Sequence, residues 1–184
     1  MTHTADNRAH LENKQDSAAL IETIMGLVGQ IKQRAEAEDD EERQWMVQNC
    51  GNPAAAELLQ DMTLMELHVL DAVGQLEPVN GITISKHFGI FKGTVSKITR
   101  RLAAKNLIRK EFLPHNKKEI LFKTTPLGKE IFHLHQALHR QMKIGVVQFL
   151  QKYDDQELQF LARVLREALE TSWVRPESQN QMNE

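Results

Sequence analysis

Residues 83–130 read TISKHFGIFKGTVSKITRRLAAKNLIRKEFLPHNKKEILFKTTPLGKE, and the fold is decided within this stretch. Thr83 can cap a short helix, ISKHF, which Gly89 closes. A second helix is expected from about Phe91 to Asn106, because Val95, Ile98 and Leu102 recur at helical spacing and define an inner face. Two such helices joined by a tight glycine turn form a helix-turn-helix. The segments LIRKEFL and EILFKTT follow, rich in β-branched and aromatic residues, with the turn-like PHNKK between them. They predict a β-hairpin. Thr125 followed by Pro126 then gives a good helix start, with threonine at the cap and proline in the first turn.

Working outward, Thr63 and Glu66 form a T-x-x-E capping box that opens a helix through Leu67, Leu70, Val73 and Leu76. The PVNG stretch at Pro78–Gly81 ends it. Further upstream, Leu20, Ile21, Ile24, Met25, Leu27, Val28 and Ile31 fall at helical spacing and predict a long helix from Ala18 to about Gln48. CGNP at Cys50–Pro53 stops that helix, and a short helical piece follows around Ala54–Leu59. Downstream, the helix begun at Thr125 runs to about Tyr153. A last helix, capped by Asp154 or Asp155, covers Gln156–Trp173. The expected class is mainly α with a small β-hairpin wing. Polar tails are expected at 1–17 and 175–184, the first disordered and the second flexible.

Composition narrows the function. Hydrophobic residues make up 41% and charged residues 26%, the balance of an ordinary globular chain rather than of a disordered or membrane-embedded one. No stretch approaches the roughly 18 apolar residues that span a bilayer. The polar N-terminus lacks the apolar centre of a signal peptide, and Cys50 is the single cysteine, so a cytoplasmic, reducing location is expected. Nothing recommends an enzyme: there is no H-E-x-x-H, no nucleophile elbow and no phosphate-cradling glycine loop.

The net charge is only −2, but its distribution is uneven. From Lys86 to Lys123 eleven bases face two acids, Glu111 and Glu119, a surplus of nine inside an otherwise acidic chain. Concentrated charge of this kind draws phosphates to the hairpin region. In a helix-turn-helix the second helix enters the major groove of double-stranded DNA with its first turns towards base edges. Here Lys92, Thr94, Ser96, Lys97, Thr99, Arg100 and Arg101 are expected on the outer face. The hairpin tip, His115, Asn116, Lys117 and Lys118, forms a basic wing suited to an adjacent minor groove. The competing reading of the basic block is a protein-interaction winged helix that docks an acidic partner.

With these residues in view, the 83–130 run resembles the winged-helix core of MarR-family transcription regulators, and the likeness of the flanking helices extends it over roughly residues 18–174. The resemblance implies an N-terminal dimerisation arm (18–60), a winged helix-turn-helix (61–124) and C-terminal dimerisation helices (125–174). It implies a homodimer whose two lobes bind a pseudopalindromic operator, as a repressor, with a small-molecule, metal or oxidant effector. Two departures stand out. The family wing usually carries Asp-Arg-Arg where this chain has Asn116, Lys117 and Lys118, and Phe91 replaces the usual serine cap of the recognition helix.

The histidines suggest an effector. FHLHQALHR contains His133, His135 and His139, and the i, i+4 spacing of the last two puts them on one helix face, a bidentate metal arrangement. Three histidines with one carboxylate would suit zinc. The zinc-responsive branch of the MarR family is similar in pattern. That resemblance implies His135 and His139 as the pair, His68 as third ligand and Asp40, in the acidic run 36–42, as fourth. The second metal site of that branch is not matched, since Leu67 and Leu134 stand where carboxylates would be. An aromatic or phenolic acid bound between the dimer arms and the winged lobe is the alternative effector. Histidines that merely satisfy hydrogen bonds are the plain one. Cys50 has no nearby base to depress its pKa, which disfavours an oxidation sensor.

Overall fold

The structure, a computed structural model, describes the backbone of residues 3–113 and 116–173, with side chains at 17–34, 41–112 and 119–173. The elements in chain order are α1 (His3–Asn49), α2 (Pro53–Gln60), α3 (Leu64–Leu76), β1 (Val79–Asn80), α4 (Gly81–Phe88), α5 (Lys92–Ala104), β2 (Ile108–Leu113), β3 (Asn116–Thr124), α6 (Pro126–Leu150) and α7 (Asp155–Glu170). The mainly helical class with a small wing is therefore as expected. The helix of the N-terminal arm starts at His3 rather than near Ala18, so the segment expected as a tail is written as helix. The expected C-terminal tail lies outside the described residues.

Two compact units divide the chain, Met1–Leu138 and His139–Glu184. The core lies in the first. Met46 from the end of α1, Leu59 from α2, Leu67, Leu70 and Val73 from α3, Ile84 from α4, Val95, Ile98 and Leu102 from α5, and Ile131 from α6 are all buried together. Burying such side chains contributes roughly 1.5–3 kcal/mol each and holds the two short helices against α3.

Local chemistry sets the element ends. The Thr63 hydroxyl accepts the Glu66 amide at 3.2 Å and the Glu66 carboxylate accepts the Thr63 amide at 3.0 Å, a complete capping box. The α4 helix is capped by Asn80 rather than Thr83: the Asn80 side-chain oxygen accepts the Thr83 amide at 2.8 Å. Gly89 ends α4 with φ +66°, a left-handed position that glycine takes without a Cβ penalty. The Thr125 hydroxyl accepts the Gly128 amide at 3.0 Å at the start of α6.

The hairpin acquires a third strand. Val79 and Asn80, expected only as a helix stop, pair antiparallel with Phe122 and Leu121, giving the sheet order β1-β3-β2. A two-residue strand is too short for alternation to reveal. Gly128 allows the closest approach in this unit: a Cβ there would lie 1.8 Å from the Leu107 carbonyl oxygen. That same carbonyl accepts the Thr125 amide at 3.0 Å, which ties α6 to the exit of α5.

The second unit holds the end of α6 and α7, whose cap is a second capping box, Asp154 with Glu157. Phe160, Leu161, Val164 and Leu165 lie exposed along α7. In the first unit Leu20, Ile21, Ile24, Met25, Leu27, Val28 and Ile31 of α1 are each between 51% and 68% exposed, an apolar face left open among the described residues. Among the described residues no helix is long and apolar enough to cross a membrane.

Candidate nucleic-acid interface and histidine cluster

The α5 helix divides into two faces. Val95, Ile98, Thr99 and Leu102 point into the core, while Lys92, Gly93, Ser96, Lys97 and Arg100 are exposed and Thr94 is half-buried. Thr99 is therefore a correction: expected on the outer face, it is 3% exposed, and its hydroxyl donates to the Ser96 carbonyl at 3.3 Å. Arg101 is exposed but turns to one side, where its guanidinium lies 3.7 Å from the Glu66 carboxylate. Lys105 reaches the same group at 3.4 Å. A buried acid on α3 thus anchors the second half of α5, and the exposed bases nearest its start are left to face outward.

The start of α5 suits an anion. Its cap, Phe91, offers no side-chain acceptor, and no acidic residue stands in the first turn. The first amides of the helix and their share of the macrodipole therefore lie beside Lys92 without a carboxylate to neutralise them. A Cβ on Gly93 would stand 3.2 Å from the exposed Phe91 ring, a contact that a small shift of that ring relieves.

Beside α5 lies the sheet. Asn80 joins the sheet to α4: its oxygen caps α4 and its amide donates to the Glu119 carboxylate on β3. Between α5 and β3 runs a cavity of about 500 Å³ that includes Lys92, Val95, Ser96, Ile120 and Phe122 in its lining. On the strands, Arg109 and Lys123 pair with Glu111 at 3.1 and 3.0 Å, and the Lys123 ammonium holds that carboxyl below its ordinary pKa. With Arg101 and Lys105 on Glu66, four of the eleven bases in the block thus have a local counter-charge, whereas Lys110 on β2 is exposed. Of the tip residues, His115 lies outside the described residues, as do the side chains of Asn116, Lys117 and Lys118.

The histidines separate. His68 on α3 and His135 on α6 come together, with ring centres 5.8 Å apart. His135 is 1% exposed, and its Nδ1 lies 3.4 Å from the Asp71 carboxylate. Asp71 also accepts from Gln136 and Gln75. Burial pushes the Asp71 pKa up, but the His135 and Gln136 donors outweigh it together with the Gln75 bond, so the carboxyl sits below its usual value. His139 is exposed one turn further along α6 and opens the second unit. His133 is exposed against Phe132. The Asp40 side chain is outside the described residues. Sequence reading missed Asp71 and Gln136; the signal was an acid and an amide interrupting two otherwise apolar helix faces.

These residues can be tested against a zinc ion. Zinc–imidazole bonds of about 2.0–2.1 Å place the ring centres of two ligating histidines roughly 5–6 Å apart, which the His68–His135 separation meets. A carboxylate behind one imidazole is also the usual outer partner of a ligating histidine. Among the described residues no group of three His, Cys, Asp or Glu side chains is already gathered for a metal. Among the described residues, then, one histidine pair has the donor type and spacing for zinc, and no third ligand completes it.

The profile of the MarR family matches residues 62–120, the span from α3 to β3. The HTH-type transcriptional regulator PchR of Bacillus subtilis is 34% identical over 116 residues, covering 63% of this chain and 68% of that protein. The chain belongs to the MarR family. The uncharacterized HTH-type transcriptional regulator YhjH of the same organism is 35% identical over 112 residues, and the match spans 61% of this MarR-family chain and 63% of YhjH. Among solved structures, the zinc-responsive MarR family member ZitR of Lactococcus lactis superposes with a TM-score of 0.64. It shares 19% identity and covers 82% of this chain and 97% of its own. At that identity the likeness is one of fold.

Proposed function

We propose that this MarR-family chain is a homodimeric, sequence-specific DNA-binding transcription regulator that acts as a repressor and responds to zinc. The observation that carries the reading is the division of α5. A buried face fixes the helix in the core, and an exposed face of Lys92, Ser96, Lys97 and Arg100 leads from an uncapped, base-flanked N-terminus. Hydroxyl and basic side chains at that position can reach base edges and phosphates of a major groove, and the wing stands beside them. The names of the relatives PchR and YhjH agree with such a role.

The dimer is supported by the apolar face of α1, which is too large and too continuous to be left in water. Two lobes related by a two-fold axis would read a pseudopalindrome. Occupying an operator then excludes other proteins from the same DNA.

The zinc reading rests on the His68–His135 pair and on Asp71 behind it. His68, His135 and His139 would supply imidazole nitrogens and Asp40 a carboxylate. Bound there, zinc would cross-link α3 and α6. The sequence resemblance to the zinc-responsive branch implies an ion that strengthens DNA binding. A second reading has its own observation: a cavity of about 360 Å³ lined by Met65, His68, Phe88, Gly89, Ile90, Phe91 and Thr94, apolar and large enough for a small aromatic acid. It lies between α3 and the helix-turn-helix turn rather than beside the dimer arms.

Fluorescence anisotropy of labelled duplex from upstream of the chain's own coding region separates these. Affinity that rises with zinc and falls with chelator supports the zinc regulator. Affinity indifferent to metal but lowered by aromatic acids supports the second reading.

A further inference from the structure

We infer that Phe91 is a specificity-determining residue of the DNA interface, reading a thymine through its C5-methyl group in the major groove. The inference rests on the DNA-binding reading above and adds to it an apolar residue outside the expected contact residues.

Phe91 stands at the N-cap of α5. That position ordinarily favours Ser, Thr, Asp or Asn, whose side chains accept a helix amide, and phenylalanine makes no such bond. Nor does the ring serve the core. At 80% it is the most exposed of the large apolar side chains described in the first unit. A single apolar side chain on a surface is ordinary, so the exposure alone decides nothing; the position does.

The ring leans over Gly93, 3.2 Å from where a Cβ would stand there. Gly93, Ser96, Lys97 and Arg100 follow at i, i+3, i+4 and i+7 spacing, and all four are exposed. The ring therefore heads the same outward stripe that carries the hydroxyl and the bases. Its starting point is fixed, because the Phe91 carbonyl accepts the Val95 amide at 3.1 Å. A recognition helix meets base edges with its first turns, and the apolar group on a major-groove edge is the thymine methyl. G·C edges offer donors and acceptors that a phenyl ring would leave unpaired. Lys97 and Arg100 supply charge for the phosphates, whereas Phe91 supplies selectivity with no added salt dependence.

The test uses the full-length protein and a duplex that the wild-type chain selects from a random pool. Each thymidine of that duplex is replaced in turn by deoxyuridine, which removes one methyl and keeps the base pairing. Anisotropy should find a thymine whose replacement weakens wild type about 4-fold, the effect of one methyl no longer buried. In Phe91→Ala the same replacement should have no effect. That variant should already bind the unmodified duplex more weakly, with the salt slope of wild type. Phe91→Ser, which restores a capping hydroxyl, should behave as Phe91→Ala does and so separates the ring from the start of the helix. Equal deoxyuridine effects in wild type and both variants would overturn the inference while leaving the DNA reading intact. So would variants that bind every duplex as wild type does. A random pool from which wild type selects no sequence would overturn both.

Discussion

Lys105 Nζ lies 3.4 Å from the carboxylate of Glu66, so the residue that closes the capping box of α3 also holds the C-terminal end of α5. Glu66 is 2% exposed, yet it has the Thr63 amide, Lys105 and Arg101 around it, which makes its burial tolerable. The orientation of the exposed bases on α5 depends on this joint. Glu66→Ala should destabilise the chain by about 1–3 kcal/mol, through the lost cap and the unpaired cations, and should weaken DNA binding as well. Thermal unfolding and anisotropy on the same preparation check both.

Lys97→Ala and Arg100→Ala remove exposed side chains that support nothing in the core, so both should fold with Tm unchanged. Each should weaken duplex binding by roughly 1–3 kcal/mol if its side chain reads a base edge. If it meets a phosphate, the slope of log affinity against log salt should fall by about one. Titrations at several salt concentrations decide which.

Ile24 and Val28 lie four residues apart on α1, 58% and 60% exposed. Ile24→Asp with Val28→Asp places two charges in the face expected to meet a second chain. Sedimentation equilibrium should report the mass of two chains for wild type and of one for the double variant, which should also lose most of its operator affinity.

Gly128→Ala should cost roughly 1–3 kcal/mol or more, because a methyl group 1.8 Å from the Leu107 carbonyl oxygen forces α6 off the end of α5. Denaturant unfolding measures it. A cost near zero would mean that α6 can move freely at its N-terminus.

His139 is exposed, so His139→Ala should change stability by no more than about 0.5 kcal/mol. It should nonetheless weaken zinc binding and remove the zinc-dependent gain in DNA affinity. Chelator competition and anisotropy test the two effects separately.

Much of this was legible in the chain. The Thr63–Glu66 box, the Gly89 turn and the Thr125–Pro126 start each carry a local chemical signature, and each stands where it was expected. Thr99 was legible too: with Val95, Ile98 and Leu102 it completes the i, i+3, i+4, i+7 pattern, and only its hydroxyl suggested the outer face. The β1 strand was not, because two residues show no period and the partner is some forty positions away. Nor was Asp71, whose meaning comes from His135, Gln136 and Gln75 converging on it across two helices. Asn80 likewise looked like a turn residue, and only the fold reveals it as the cap of α4 and the link to Glu119.

The central claim is that the exposed face of α5 binds a specific duplex. The most direct measurement is the affinity of the wild-type protein for labelled DNA from upstream of its coding region, against a scrambled duplex of the same length, over a series of salt concentrations. The account predicts tighter binding to the upstream sequence by about 10³-fold or more, a steep salt dependence for both duplexes, and loss of the preference in the Lys97→Ala, Arg100→Ala double variant. Equal affinity for the two duplexes, or a preference that survives the double variant, would contradict it.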